Sequence, residues 1–344
     1  MTNQTTNRST IVSAEIHLAS RPAGEPTADN FELVRTELPE PAEGEIVVRN
    51  TWMSVDPYMR GRMDDAPSYL PPFRLGEALE GSAVGVVIAS RSAAVPVGAT
   101  VFHWLGWREH AVLDASAATV VDTGIAPASA YLGALGTTGL SAYAALTVTA
   151  PVREGDVVFI SAAAGAVGSI AGQLARRLGA SRVIGSAGGP EKAEKLVTDF
   201  GYDAAIDYRA GSLEEQLAEA APDGIDVYLD SVGGDHLRAA IGAMRSGGRI
   251  ALVGAISGYN DTVPAPGPDN LFRAVAKELT LRGMLVSNQF HLFPEWIERA
   301  AGWLADGTLR SAETVLEGID QAPAAFLGVL RGANTGKMLV RLEG

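Results

Sequence analysis

Asp156-Val157-Val158-Phe159-Ile160 is an apolar, β-branched run. It leads into the small residues Ser161-Ala162-Ala163-Ala164-Gly165-Ala166-Val167-Gly168-Ser169. Ile170, Leu174, Ala175 and Leu178 then recur at helical spacing. Strand, small-residue turn and helix in that order form the shape of a dinucleotide-binding unit. Small residues are needed there for steric reasons. Gly165 lets the backbone approach a pyrophosphate, Gly168 lets the helix close on the strand, and the first helical N–H groups face the anion. Ala163 stands at the first glycine position of the G-x-G-x-x-G pattern. The motif by itself therefore also fits a tight strand-to-helix connection in another α/β protein.

The surrounding chain repeats the alternation. Strands are expected at Val157–Ile160, Arg182–Ser186, Ala204–Asp207, Val227–Asp230, Arg249–Leu252 and Thr280–Gly283. Helices fall between them, such as Glu191–Phe200 and Leu213–Ala221. That pattern specifies a doubly wound parallel sheet, an α/β fold of the Rossmann kind. Tyr131–Ala145 reads as a helix leading into it, and Ile297–Leu304 as a helix leaving it. From Ile11 to Ala115 the chain instead shows short strands punctuated by Pro and Gly. Phe31–Val34, Glu45–Arg49, Gly81–Ile88 and Val97–Phe102 are examples, and they indicate a β-rich, barrel-like lobe. Thr314–Gly318 follows the last of these helices, and the strand Lys337–Arg341 has no place in the nucleotide sheet. It is expected to return to the first lobe, which divides the chain into 1–130 with 305–344 and 131–304. Met1–Thr10 reads as a disordered polar tail.

Composition excludes several functions. The 344-residue chain carries a net charge of −13, and phosphate neutralisation requires clustered Lys and Arg, so neither nucleic acid nor an anionic membrane is an expected partner. There is no cysteine, which removes disulfides, thiolate catalysis and Cys-ligated metal sites together. No run approaches the roughly 18 apolar residues of a membrane span, and no apolar signal segment opens the chain. The expected compartment is the cytoplasm.

NAD-selective sites carry an acid about 20 residues past the glycines, on the ribose 2′-OH. Here the second strand runs into Ser186-Ala187-Gly188-Gly189-Pro190-Glu191-Lys192. A carboxylate at the strand end would repel a 2′-phosphate, and none is present. Lys192 lies one helical turn on, and Tyr208 and Arg209 follow the third strand. The pattern favours NADP(H) over NAD.

Six blocks carry a family resemblance. They are Trp52–Met63 (WMSVDPYMRGRM), Ala162–Gly168 (AAAGAVG), Gly188–Lys192 (GGPEK), Asp230–Gly234 (DSVGG), Gly254–Asn260 (GAISGYN) and Gly332–Met338 (GANTGKM). In this order they resemble the zinc-independent medium-chain dehydrogenase/reductases, most closely the NADP-dependent prostaglandin reductase and alkenal double-bond reductase family. The resemblance implies a GroES-like substrate lobe, a Rossmann lobe and a cleft between them. It implies that Gly165, Ala166, Val167 and Gly168 meet the pyrophosphate, that Lys192 and Tyr208 serve the 2′-phosphate end, and that Ala163 and Ser186 also touch the cofactor. Ser231, Gly254, Ile256, Ser257, Tyr259 and Leu285 would line the cofactor, with Asn334 reaching its nicotinamide half from the other lobe. Ser231 stands where many relatives have Asn. A homodimer through the sheet edge near Leu279–Val286 is implied as well.

Zinc-dependent cousins use Cys or His ligands, whereas Glu77 stands where a ligand His would be and the five histidines are scattered. No metal is expected. Reduction of a carbonyl then lacks its usual Lewis acid, whereas conjugate reduction of an activated C=C needs only orientation and a donor for the growing oxyanion. The expected substrate is an α,β-unsaturated ketone or aldehyde, with Tyr259 and Tyr58 as the candidate donors. Arg60 reads as a structural ion-pair residue, Asp56 as a brace for its loop and Asp230 as architectural. Two readings stand beside this one: a quinone reductase of the same superfamily, and an NADPH-binding protein with little catalysis.

Overall fold

The computed structural model describes residues 10–263 and 265–342. Most of the Met1–Thr10 tail therefore lies outside the described residues. Six parallel strands form one sheet, in the spatial order Ala204–Asp207, Arg182–Ala187, Val157–Ile160, Ile225–Asp230, Met244–Leu252 and Thr280–Gly283. Helices Ala166–Arg177, Pro190–Thr198, Leu213–Ala220 and Gly234–Ala243 make the crossovers. Strand order reverses between Val157–Ile160 and Ile225–Asp230, where Val158 pairs with Val227. Doubly wound sheets bind ligands at the carboxyl ends of the strands where the order reverses in this way. All four residues of Val157–Ile160 are buried, because a central parallel strand is covered on both faces and is apolar throughout.

A seven-stranded sheet forms the second lobe. It runs Glu313–Glu317, Lys337–Arg341, Glu45–Ser54, Ala83–Ser90, Thr100–His103 and Thr119–Val120, with His110–Asp114 pairing back onto Glu45–Ser54. The last strand does return to the N-terminal half: Leu339 pairs with Ser54, Val340 with Met53 and Arg341 with Trp52. Both ends of the chain thus build one lobe, around a core of Met53, Met59, Met63, Trp107, Phe326 and their neighbours.

The structure departs from the sequence reading at three helices. Tyr131–Ala145 is not one helix. A 3-10 turn at Ala128–Leu132 is followed by a doubled-back segment, and the α-helix spans only Thr137–Ala144 before a π turn at Ala145–Thr149. Gly136 and Gly139 permit this. A Cβ on them would lie 2.4 Å from the Tyr131 carbonyl oxygen and 1.8 Å from that of Ala134, a closeness only glycine allows. The helix expected at Ile297–Leu304 starts earlier, at Phe293, with Pro294 in its first turn. A helix at Ala322–Leu330 has no counterpart in the reading. Its residues are almost uniformly apolar, so no amphipathic period marks it. Phe326 packs edge-on against both Phe31 and Trp107.

His103 lies in the substrate lobe at 0% exposure. Its Nδ1 accepts from the Leu105 N–H at 3.1 Å, and its Nε2 stands 2.8 Å from Asn50 Oδ1. Burial, helped by Arg108, pushes its pKa down to about 4. The unfolded chain therefore takes up this proton before the folded one. Stability is expected to fall as pH drops from about 6.5 to about 4, by about 3 kcal/mol for this group. Urea melts across that interval would show the slope, and His103→Gln would remove it.

Candidate functional site

The glycine turn is built as the sequence requires. Gly165 N-caps the helix, and the first helical bond runs from Ser169 N–H to Gly165 O at 3.0 Å. The N–H groups of Ala166, Val167 and Gly168 precede it, and they point out of the helix end without an intrahelical acceptor. A Cβ on Gly168 would lie 2.5 Å from both Ala162 O and Ala163 Cα, so the helix packs directly on the turn. Ala162 adopts a left-handed φ of 47° to make that turn. Ala163 and Ser186 are placed differently from the expected cofactor contacts. Both are completely buried, and the Ala163 N–H donates to Ser186 O at 2.9 Å. They hold the turn from beneath.

At the second and third strand ends, Lys192, Tyr208 and Arg209 come together. The half-buried Lys192 ammonium has its pKa lowered by burial first and then by Arg209 and Lys195. Arg209 lies over the Tyr208 ring at 5.7 Å, and His236 packs edge-on to that ring at 5.2 Å. Cations pressed together in this way accept an anion readily. Lys192 also donates to Gly332 O at 2.5 Å and Asn334 O at 2.6 Å. An ammonium has three donors, so one remains for a phosphate. Asn334 turns its side-chain amide onto Gly336 O at 2.6 Å, and its backbone stands at Lys192. The Gly336 N–H donates to Ala164 O at 2.7 Å, joining the C-terminal segment to the glycine turn.

Asp230 is a structural hub. One carboxylate oxygen accepts from Tyr228 Oη at 2.7 Å, Ser161 Oγ at 3.2 Å, and the Val232 and Gly233 N–H groups at 2.9 Å. It thereby shapes the loop Ser231–Gly233, where Ser231 N–H donates to Ser161 Oγ. Ser257 Oγ donates to Val232 O at 2.6 Å, tying the loop beyond Gly254 and Ile256 to the same place. Tyr259 Oη accepts the Ala255 N–H at 3.3 Å, which leaves its own proton free to donate. Leu285, at 39% exposure, opens the turn that follows the last strand of this sheet.

The Trp52–Met63 block faces these loops from the other lobe. Met59 and Met63 are buried in its core. Arg60 donates to Asn260 Oδ1 at 3.2 Å, Asp64 Oδ1 at 2.8 Å and Gly24 O at 2.8 Å. It is structural, and it joins the segment carrying Tyr58 to the loop carrying Tyr259. Burial raises the pKa of Tyr58, and the Asp56 carboxylate raises it further, so its phenol keeps its proton. Tyr69 was not singled out in the sequence. Burial raises its pKa, and the nearby Tyr259 raises it further. The signal was a lone tyrosine in the Pro-flanked loop 64–73. Glu77 is exposed and pairs with Arg74 at 3.6 Å. Among the described residues, no group of three or more His, Cys, Asp or Glu is arranged to hold a metal, and no helix is long and apolar enough to cross a membrane.

Two family models match the chain: an N-terminal domain of oxidoreductase over residues 14–121, and a zinc-binding dehydrogenase domain over residues 166–303. YfmJ of Bacillus subtilis, an NADP-dependent oxidoreductase by name, is 41% identical over 332 residues, covering 96% of this chain and 97% of the relative. The NADPH-dependent curcumin reductase of Escherichia coli is 36% identical over 95% of this chain and 96% of its own length. Mouse prostaglandin reductase 1 is 38% identical over 92% and 95% respectively. The crystal structure of CurA from Vibrio vulnificus in complex with NADPH superposes with a TM-score of 0.91 at 38% identity, covering 96% of this chain and 99% of that one. The glycine turn, the cationic strand end and the facing Trp52–Met63 block thus occur in a chain matched nearly end to end by these reductases, and it belongs to the zinc-independent, NADP-dependent prostaglandin reductase and alkenal double-bond reductase family of the medium-chain dehydrogenase/reductases.

Proposed function

We propose that Tyr259 and Tyr58 are the proton-holding groups of an NADPH-dependent reductase that saturates the C=C bond of α,β-unsaturated ketones and aldehydes. The observation that carries this reading is the Tyr259 hydroxyl, held as an acceptor by the Ala255 N–H at a strand's carboxyl end and left with a proton to give. NADPH, when bound, supplies the hydride for the β-carbon of the substrate. The residues present fit it: unpaired helical N–H groups at the glycine turn, a backbone that a Cβ would obstruct, and the cations Lys192 and Arg209 at the second and third strand ends. Gly165, Ala166, Val167 and Gly168 bind the pyrophosphate, and Lys192, Tyr208 and Arg209 the 2′-phosphate. Ser231, Gly254, Ile256, Ser257, Tyr259 and Leu285 line the cofactor, and Asn334 reaches it from the other lobe.

Tyr58 keeps its proton because burial and Asp56 oppose its ionisation. It therefore serves as a neutral hydrogen-bond donor to the oxygen on which negative charge grows. Tyr259 holds the proton destined for the α-carbon. Tyr259→Phe is expected to lower kcat about 100-fold with NADPH affinity changed far less, and Tyr58→Phe about tenfold. Steady-state rates and cofactor fluorescence titrations check both.

The reaction itself is tested by anaerobic mixing with NADPH, then NADH, against a small enone, with the product identified. A saturated ketone formed preferentially with NADPH supports the reading. Turnover on quinones alone would replace it.

Residues 1–130 with 305–344 form the substrate lobe in this reading, and 131–304 the nucleotide lobe. The chain works in the cytoplasm as a homodimer. Thr280–Gly283 is an edge strand, and Phe272 at 79% exposure and Val275 at 71% stand beside it in sequence. An open edge with apolar side chains nearby suits a second copy. Phe272→Asp would then halve the mass seen in sedimentation.

A further inference from the structure

Lys337 opens the last strand at 3% exposure. Its ammonium donates to Asp56 Oδ1 at 2.6 Å and to Val55 O at 3.2 Å. The other Asp56 oxygen accepts from Ser54 Oγ. A buried ion pair is weak grounds for stability, because well-packed apolar residues often serve packing as well or better. Its location points to another role. Asp56 begins the turn that carries Tyr58: the Met59 N–H donates to Asp56 O, and the Arg60 N–H to Pro57 O, both at 3.1 Å. On the other side, Gly336, the residue before Lys337, pairs in a bridge with Gly165 of the glycine turn. Lys337 therefore stands between the turn that presents Tyr58 and the turn that receives the pyrophosphate.

We infer that Lys337 is a positioning residue for the reaction: its ion pair with Asp56 fixes the turn carrying Tyr58 and registers it against the glycine turn of the other lobe. The inference rests on the reading of Tyr58 as a donor to the substrate. A lysine at this place acts through geometry, because its ammonium is enclosed by Asp56 and Val55. A small displacement of a donor can cost much of its effect. Without Lys337 the Asp56 carboxylate loses its buried counter-charge and must rotate or take up water, and the turn follows it.

The test is a double-mutant cycle in the full-length enzyme, with Lys337→Met and Tyr58→Phe read by kcat and KM for an enone. NADPH affinity is measured by fluorescence and folding by circular dichroism. Lys337→Met is expected to lower kcat about tenfold, with KM and NADPH affinity changed less than about twofold. In the Tyr58→Phe background the same substitution should change kcat by less than about twofold, since the group it positions is gone. Independent, multiplying losses would overturn the inference, as would a loss of NADPH affinity equal to the loss of turnover. So would unchanged turnover in Lys337→Met. Unchanged turnover in Tyr58→Phe would instead reject the reading of Tyr58, and the inference with it. Should Lys337→Met fail to fold, Ser54→Ala removes only one hydrogen bond from Asp56. It is expected to lower kcat about threefold, again only where Tyr58 is present, and a loss that persists in Tyr58→Phe overturns the inference.

Discussion

Gly168→Val is expected to abolish measurable NADPH binding and to lower the melting temperature by several degrees. The reason is contact with backbone, which cannot move aside as a side chain can. A Cβ at this position would lie 2.5 Å from Ala162 O and Ala163 Cα. The helix must then lift from the turn, at a cost of about 1–3 kcal/mol or more. The N–H groups of residues 166–168 move with it and no longer converge on one anion. Gly165→Ala provides the contrast. Its Cβ would meet only Ala162 O, at 3.1 Å, so the fold is expected to tolerate it while the added methyl group obstructs the approach of a pyrophosphate. Calorimetry and fluorescence titration on the two variants separate packing from ligand approach. Equal NADPH affinity in wild type and Gly168→Val would remove the glycine turn from the cofactor site.

Lys192→Ala is expected to weaken NADPH about 10- to 100-fold and to leave NADH within about threefold. A charge-assisted hydrogen bond to phosphate is worth about 1.5–3 kcal/mol, and only NADPH carries the 2′-phosphate. The comparison matters because Lys192 also holds the Gly332 and Asn334 carbonyls. Losing those contacts would weaken both cofactors alike, so the ratio isolates the phosphate. Raising the salt concentration should reduce the NADPH preference of the wild type by screening the same cation. Equal losses for the two cofactors would assign Lys192 to the contact between lobes alone.

Much of the nucleotide lobe was legible because its information is local. Strands such as Val157–Ile160, Ala204–Asp207 and Thr280–Gly283 have the expected bounds; the first, buried on both faces, reads as a continuous apolar run. The small-residue turn follows from backbone sterics within a dozen residues, and the absence of an acid at the end of Arg182–Ala187 is a statement about a single strand end. The helix Ala322–Leu330 was illegible for the opposite reason. Only Ala322, Ala325, Phe326 and Val329 are buried, but its residues are apolar on every side, so nothing in its sequence distinguishes one face from another. The break before Thr137 depends on Gly136 lying against Tyr131 and Gly139 against Ala134, which glycine permits but does not announce.

For the candidate site the division is sharper. Residue types and order were enough to assign the cofactor class, and to name the turn and the two tyrosines on which the proposed mechanism rests. Which groups support them was decided only by tertiary structure. Arg60 meets Asn260 across 200 residues, Lys192 meets Gly332 across 140 and Lys337 meets Asp56 across 281. Ser186, expected to touch the cofactor from its strand end, is completely buried, and its carbonyl accepts the Ala163 N–H of the glycine turn. Hydrogen bonds and ion pairs act over about 3 Å of space whatever the separation along the chain. Local sequence therefore determines which chemical groups stand at each turn. Only the return of the last strand to the first lobe determines which of them meet.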